Sequence, residues 1–148
     1  MIYLVPFVVF VLDWVSKYYA LTKLEAHIPF MLTPYFNLYL TFNPGISFSM
    51  FQANSQSMVW LLIALTCIIC GFILYAFRKE KSPWSRVALM MILGGAIGNL
   101  WDRLRYGVVI DFLDFHWGDY HWPAFNIADS AICIGVAIML WQTLRRKK

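Results

Sequence analysis

Charge is scarce in this chain. Asp, Glu, Lys and Arg make up 14% of its 148 residues, where a soluble domain carries about a quarter. With 61% apolar residues, no soluble core of this length hides so much apolar surface, whereas a bilayer does. Cysteine is sparse too. Cys67, Cys70 and Cys133 lie in apolar runs, and although Cys67-Ile-Ile-Cys70 has redox spacing, no helix start or base stands beside it. These three read as small apolar residues of membrane helices. His27, His116 and His121 lack the helical HExxH pairing of a zinc site. There is no GxSxG elbow and no Ser/Lys span pairing for a serine nucleophile. The missing internal repeat counts against an inverted-repeat transporter. The first apolar run has no basic segment ahead of it and no small-residue cleavage site behind it, so it reads as a retained span and not a cleaved signal.

What the chain does have is aromatic and apolar. Seven Trp and eight Tyr suit a membrane–water interface, where one end of the ring is apolar and the other wet. The net charge is +4, and eight of the twelve Lys and Arg sit in two short clusters, Arg78 to Arg86 and Arg145 to Lys148. Clusters of that kind determine topology and do not line a nucleic-acid groove. A helix needs roughly 20 apolar residues to cross the hydrocarbon core. Four segments qualify, at about residues 2–22, 58–77, 84–103 and 125–144. The expected fold is therefore an all-α membrane protein of four transmembrane helices, one domain over residues 1–148, with a small extracytoplasmic β-hairpin or sheet between helices 1 and 2. The cationic loop and tail place both termini in the cytoplasm by the positive-inside rule.

Two segments then lie outside. In the first, residues 23–57, Asn37 to Asn43 alternates polar and apolar, and Asn43-Pro44-Gly45 is a turn signal, which together read as a short hairpin on the membrane surface. In the second, residues 104–124, Gly107 supplies a turn, and Val108 to Ile110 is a short extended run that sets Asp111 back against the bundle. Trp117, Tyr120 and Trp122 belong at headgroup level.

Ionisable residues within spans each need a reason. Asp13 and Lys17 are four apart on one helix face, as a buried ion pair or a proton relay would be. Gly94, Gly95 and Gly98 permit close helix contact. Asn99 and Arg103 share a face. Asn126 is a plausible helix cap, with Asp129 at the third position after it, where the helix dipole favours an acid. Asp102, Asp111, Asp114 and Asp129 all map near one membrane face. Two close carboxylates without a metal suit acid–base hydrolysis, since they share a proton and take opposite roles. Residue types and spacing alone leave cation binding and a proton path equally open.

The stretches Asp13-Trp-Val-Ser-Lys17, Asn43-Pro-Gly45-Ile-Ser-Phe-Ser49, Gly94-Gly-Ala-Ile-Gly98-Asn99-Leu-Trp-Asp102-Arg103, Gly107-Val-Val-Ile-Asp111-Phe and Phe125-Asn126-Ile-Ala128-Asp129-Ser130 resemble, in order and over nearly the whole chain, the motif blocks of lipoprotein signal peptidase, or signal peptidase II. The resemblance implies an aspartic endopeptidase of the bacterial inner membrane, active near the outer leaflet. Its partners would be diacylglyceryl-modified prolipoproteins, cut immediately before the lipidated cysteine, and membrane lipids. It implies no cofactor, no metal and no nucleic acid, and a monomer is expected. By motif position Asp111 and Asp129 look like the catalytic pair. Asn43, Asn99, Arg103 and Asn126 resemble the polar residues that surround the pair and hold the substrate backbone. Asp13 and Lys17 look like supporting residues, as does Asp102, for which an arginine partner is expected. Gly45 is expected to turn the outer hairpin over the cleft, with Phe42, Phe48 and Phe51 covering the site. The alternative reading is a small four-span proton-coupled transporter, followed by a membrane scaffold protein and a metal-dependent lipid hydrolase.

Overall fold

The computed structural model describes residues 2–45 and 56–146. Four helices in it are long and apolar enough to cross a membrane. After a short 3-10 turn, α1 spans Val5–Lys23, with α2 over Gln56–Lys79, α3 over Pro83–Tyr106 and α4 over Ile127–Arg146. Each lies within a few residues of the span expected from hydropathy.

Helix α3 is the least hydropathic of the four, and the reason is its position. Half of its span is buried inside the protein, because it packs against α1, α2 and α4. Lipid therefore touches little of it, and small residues replace long apolar ones. A Cβ on Gly94 would stand 2.8 Å from the Pro6 backbone, and one on Gly98 would stand 2.6 Å from Asp13 Oδ2. A Cβ on Gly95 would collide with the Ala128 carbonyl oxygen. The close helix contact expected of these three glycines is thus present on both sides of α3. The helix starts at Ser82, whose hydroxyl accepts the Ser85 N–H at 3.4 Å ahead of Pro83, and it stops at Gly107, in the left-handed region with φ 75°, where glycine carries no Cβ penalty.

The expectation of an all-α chain with a small hairpin or sheet between helices 1 and 2 holds in part. A four-stranded antiparallel sheet, ordered β1-β2-β3-β4, caps one end of the bundle. Strands β1 (Phe30–Thr33) and β2 (Phe36–Asn43) lie between α1 and α2, while β3 (Val109–Trp117) and β4 (Tyr120–His121) lie between α3 and α4. The first hairpin turns at Pro34-Tyr35, between paired Thr33 and Phe36; Asn43-Pro44-Gly45 ends β2. The extended run at residues 108–110 continues to Trp117 and turns back at Gly118-Asp119. Ile110, Phe112 and Leu40 pack with Ala20 of α1, which fixes the sheet to the bundle. Phe125 then bonds its N–H and C=O to Leu113 of β3, at 3.0 and 2.9 Å. That single bridge sets the start of α4 beside Asp111. Phe48 and Phe51, expected to cover the site, and the motif residues Ile46 to Ser49 lie outside the described residues.

Candidate active site

The first turn of α4 is held by a reciprocal cap. Asn126 Oδ1 accepts the Asp129 N–H at 2.9 Å, and Asp129 Oδ2 accepts the Asn126 N–H at 3.2 Å. This is the capping-box geometry, so Asp129 is a first-turn acid. Its other oxygen has a different task. Oδ1 accepts from Asn99 Nδ2 of α3 at 2.7 Å, and the side chain is half-buried.

Asp111 enters from β3. It is 1% exposed. Its Oδ1 accepts from Asn126 Nδ2 at 2.7 Å, and its Oδ2 from Asn43 Nδ2 at 2.9 Å. One residue, Asn126, therefore touches both carboxylates, Asp111 through its side-chain amide and Asp129 through its backbone N–H. Burial pushes the Asp111 carboxyl up from its ordinary 3.8 to about 6, and the neighbouring Asp129 charge adds to that rise, against the amides of Asn43 and Asn126. The Asp129 charge thus reaches the Asp111 carboxyl, as a like charge close by does.

Behind the pair lies an ionic triad. Lys17 Nζ is 2.7 Å from Asp13 Oδ2, 2.7 Å from Asp102 Oδ2 and 3.1 Å from Asn99 Oδ1. Its three hydrogens are thereby used. Asp13 is 1% exposed, Lys17 3% and Asp102 3%. The remaining carboxylate capacity reaches the backbone. Asp13 Oδ1 accepts the Ala128 N–H at 2.8 Å, and Asp102 Oδ2 accepts the Ile110 N–H at 3.1 Å. Ala128 immediately precedes Asp129, and Ile110 immediately precedes Asp111. The triad thus ties α1 and α3 to the two chain segments that carry the acids, and Asn99 joins it to Asp129. The arginine partner expected for Asp102 is corrected to Lys17. Arg103 is next to Asp102 in sequence, but adjacent helical residues point about 100° apart.

Arg103 instead projects toward the end of β2. A Cβ on Gly45 would stand 3.3 Å from Arg103 Nη2 and 2.7 Å from Leu62 Cδ1 of α2. Gly45 has φ 86°, and its N–H donates to Asn43 Oδ1 at 2.8 Å, which orients the amide that meets Asp111. The fold therefore brings together Asp13, Lys17, Asn43, Gly45, Asn99, Asp102, Arg103, Asp111, Asn126 and Asp129 in one network.

Asp114, left out of the site on sequence, stays out of it. Residues three apart on a strand face opposite ways, and Asp114 is buried with Asn37 Nδ2 at 3.0 Å and His121 Nδ1 at 2.9 Å. That cluster braces β2, β3 and β4 against one another. Sequence reasoning missed it. The Gly118-Asp119 pair between Trp117 and Tyr120 was the available signal for the hairpin that carries His121.

Fold and site together define a multi-pass membrane protein whose helix–sheet junction holds two carboxylates in a shared shell of amides. The family model described as "Signal peptidase (SPase) II" matches residues 5–145. The lipoprotein signal peptidase of Polynucleobacter necessarius subsp. necessarius is 43% identical over 143 residues, covering 96% of this chain and 88% of that protein. The lipoprotein signal peptidase of Aeromonas hydrophila subsp. hydrophila is 42% identical over 142 residues, covering 94% of this chain and 85% of that protein. A solved structure described as a bacterial membrane enzyme, determined by the in meso method at 2.3 Å, superposes with a TM-score of 0.86 at 29% identity, over 98% of this chain and 88% of that one. The chain belongs to the signal peptidase II family and is a peptidase.

Proposed function

We propose that this protein removes the signal peptide from diacylglyceryl-modified prolipoproteins, cutting before the lipidated cysteine with Asp111 and Asp129 as the catalytic pair. Family membership supports the reaction. The observation that carries the residue assignment is the convergence of both carboxylates on Asn126. The ionised member of the pair takes a proton from water, whose oxygen attacks the scissile carbonyl carbon. The protonated member donates a hydrogen bond to the carbonyl oxygen. As the tetrahedral adduct collapses and the C–N bond breaks, the pair returns a proton to the departing amine. The proton belongs to the pair, and Asp111, whose carboxyl is raised to about 6, is the member whose burial favours holding it. Asn43, Asn99 and Asn126 aim the carboxylates, and Arg103, beside Gly45, faces the substrate backbone.

The chain works as one domain, which the match of the family model over residues 5–145 supports, and a monomer is the expected state. Both termini are cytoplasmic and the site faces outward, a reading that the cations of residues 78–86 and 145–148 support by the positive-inside rule. The location suits the substrate. Each buried CH₂ of an acyl chain is worth roughly 0.8 kcal/mol, so the substrate meets the acids from within the leaflet and water meets them from outside. A proton-coupled transporter would need a lone acid at mid-span, and Asp13 has Lys17 at 2.7 Å.

The test is cleavage in proteoliposomes of two forms of one prolipoprotein, with and without the diacylglyceryl group. The reading expects release of the signal peptide from the lipidated form alone. Equal cleavage of both forms would remove the lipid from the specificity.

A further inference from the structure

The α3–α4 seam at the end of the bundle opposite the sheet carries a groove of about 350 Å³, lined by Trp84, Ile138, Trp141, Gln142 and Arg145. Four of these recur on α4 at i, i+3, i+4 and i+7, which is one helix face. Trp84 stands opposite, in the first turn of α3. Both indoles are exposed, Trp84 by 66% and Trp141 by 56%, and the Arg145 guanidinium lies over Trp141 at 4.8 Å from the ring centroid.

We propose that this groove binds an anionic diacyl phospholipid, with its phosphate on Arg145 and an acyl chain along Ile138. The wall is apolar and the mouth is cationic. The indole N–H groups are donors without acceptor character, and the Gln142 amide adds two more donors. Stacking on Trp141 holds the guanidinium in place before the ligand arrives, so little of its freedom is lost on binding. The amino end of α3 adds the positive end of its helix dipole. Charge selects among headgroups. Arg145 sets the field at the mouth, and no acid lines the groove among the described residues. A zwitterionic headgroup gains little from that field, and an anionic one gains about fivefold in affinity for each cation it meets. Basic grooves between helices at this membrane depth are the usual seat of such lipids. The site is independent of the peptidase reading, since the acids lie at the sheet end.

The test is native mass spectrometry of the full chain in detergent, titrated with phosphatidylglycerol, with phosphatidylcholine and inorganic phosphate as competitors. Phosphatidylglycerol is expected to bind and phosphatidylcholine to compete poorly. Arg145→Gln, in the exposed last turns of α4, should weaken binding about fivefold, and Trp84→Leu should weaken it as well. Lys79→Gln removes the same charge from α2, where its ammonium lies over Tyr75, and should leave binding unchanged. Equal losses from Arg145→Gln and Lys79→Gln would reduce the effect to general surface charge and overturn the site. Displacement by excess inorganic phosphate would overturn the lipid as its occupant.

Discussion

Replacing Lys17 by Met removes the one cation of the buried triad. Two carboxylates, Asp13 and Asp102, each 2.7 Å from the ammonium and at most 3% exposed, then face each other without a counter-charge. Breaking a buried pair by deleting one partner costs about 3–5 kcal/mol. Each kcal/mol shifts the thermal midpoint of a chain near this size by about 2–4 °C, so Lys17→Met should melt about 6–20 °C below the parent protein. The loss has a second part. Without the ammonium, Asp13 and Asp102 have no common partner, and their grip on the Ala128 and Ile110 amides loosens, so cleavage should fall at temperatures where the variant is folded. The triple variant Asp13→Asn, Lys17→Met, Asp102→Asn keeps an oxygen acceptor for both amides and buries no charge, so it should recover most of the midpoint. The assay is Trp fluorescence during heating in detergent, at one scan rate for every variant because unfolding of such proteins is commonly irreversible. A Lys17→Met midpoint at the parent value, or a triple variant no more stable than the single, would refute the triad's role.

The pH profile should bend near 6, where Asp111 titrates, and Asn43→Ala, which removes a hydrogen bond that favours the carboxylate, should move the bend in kcat/KM upward; a bend that stays put or moves down contradicts the assignment. Because burial raises this carboxyl from 3.8 to about 6, the folded state holds a proton that the unfolded chain has released between those values. Stability should therefore fall as pH rises across that window and level off above it, as thermal midpoints at a series of pH values would reveal. Gly98→Ala, with its Cβ 2.6 Å from Asp13 Oδ2, should lower the midpoint and the activity together. Gly71→Ala on α2, where nothing lies within 4 Å, should raise stability by about 0.5–1 kcal/mol through helix propensity, and the same melting assay separates the two.

The spans were legible because length and hydropathy act locally. Gln56–Lys79 carries no charge until its last two residues, and no tertiary contact is needed to recognise it. Asp13–Lys17 and Asn126–Asp129 were legible for the same reason, since one helix fixes both spacings. The sheet was half legible. The alternation in Asn37 to Asn43 marked β2, but its partner β3 comes from beyond two helices, and pairing at that distance leaves no periodic trace. Residues 113–124 looked like interfacial aromatics and hid a two-residue hairpin at Gly118-Asp119. The partner of Asp102 was misread because the nearest cation in sequence is Arg103, whereas the nearest in space, Lys17, comes from another helix. The gathering of Asp111 and Asp129 followed from the family's motif blocks; spacing alone left it open, because the Phe125–Leu113 bridge that joins them is a backbone bond with no side-chain signature.

The most direct measurement compares the parent protein with Asp111→Asn and Asp129→Asn, each purified in detergent with a retained thermal midpoint. Release of signal peptide from a diacylglyceryl-modified lipoprotein precursor is followed with chelator present. The account predicts cleavage by the parent and none by either variant, because asparagine keeps the shape and one of the two accepting oxygens but cannot exchange the proton. Cleavage at the parent rate by a well-folded Asp111→Asn or Asp129→Asn variant would remove that residue from the pair and contradict the mechanism.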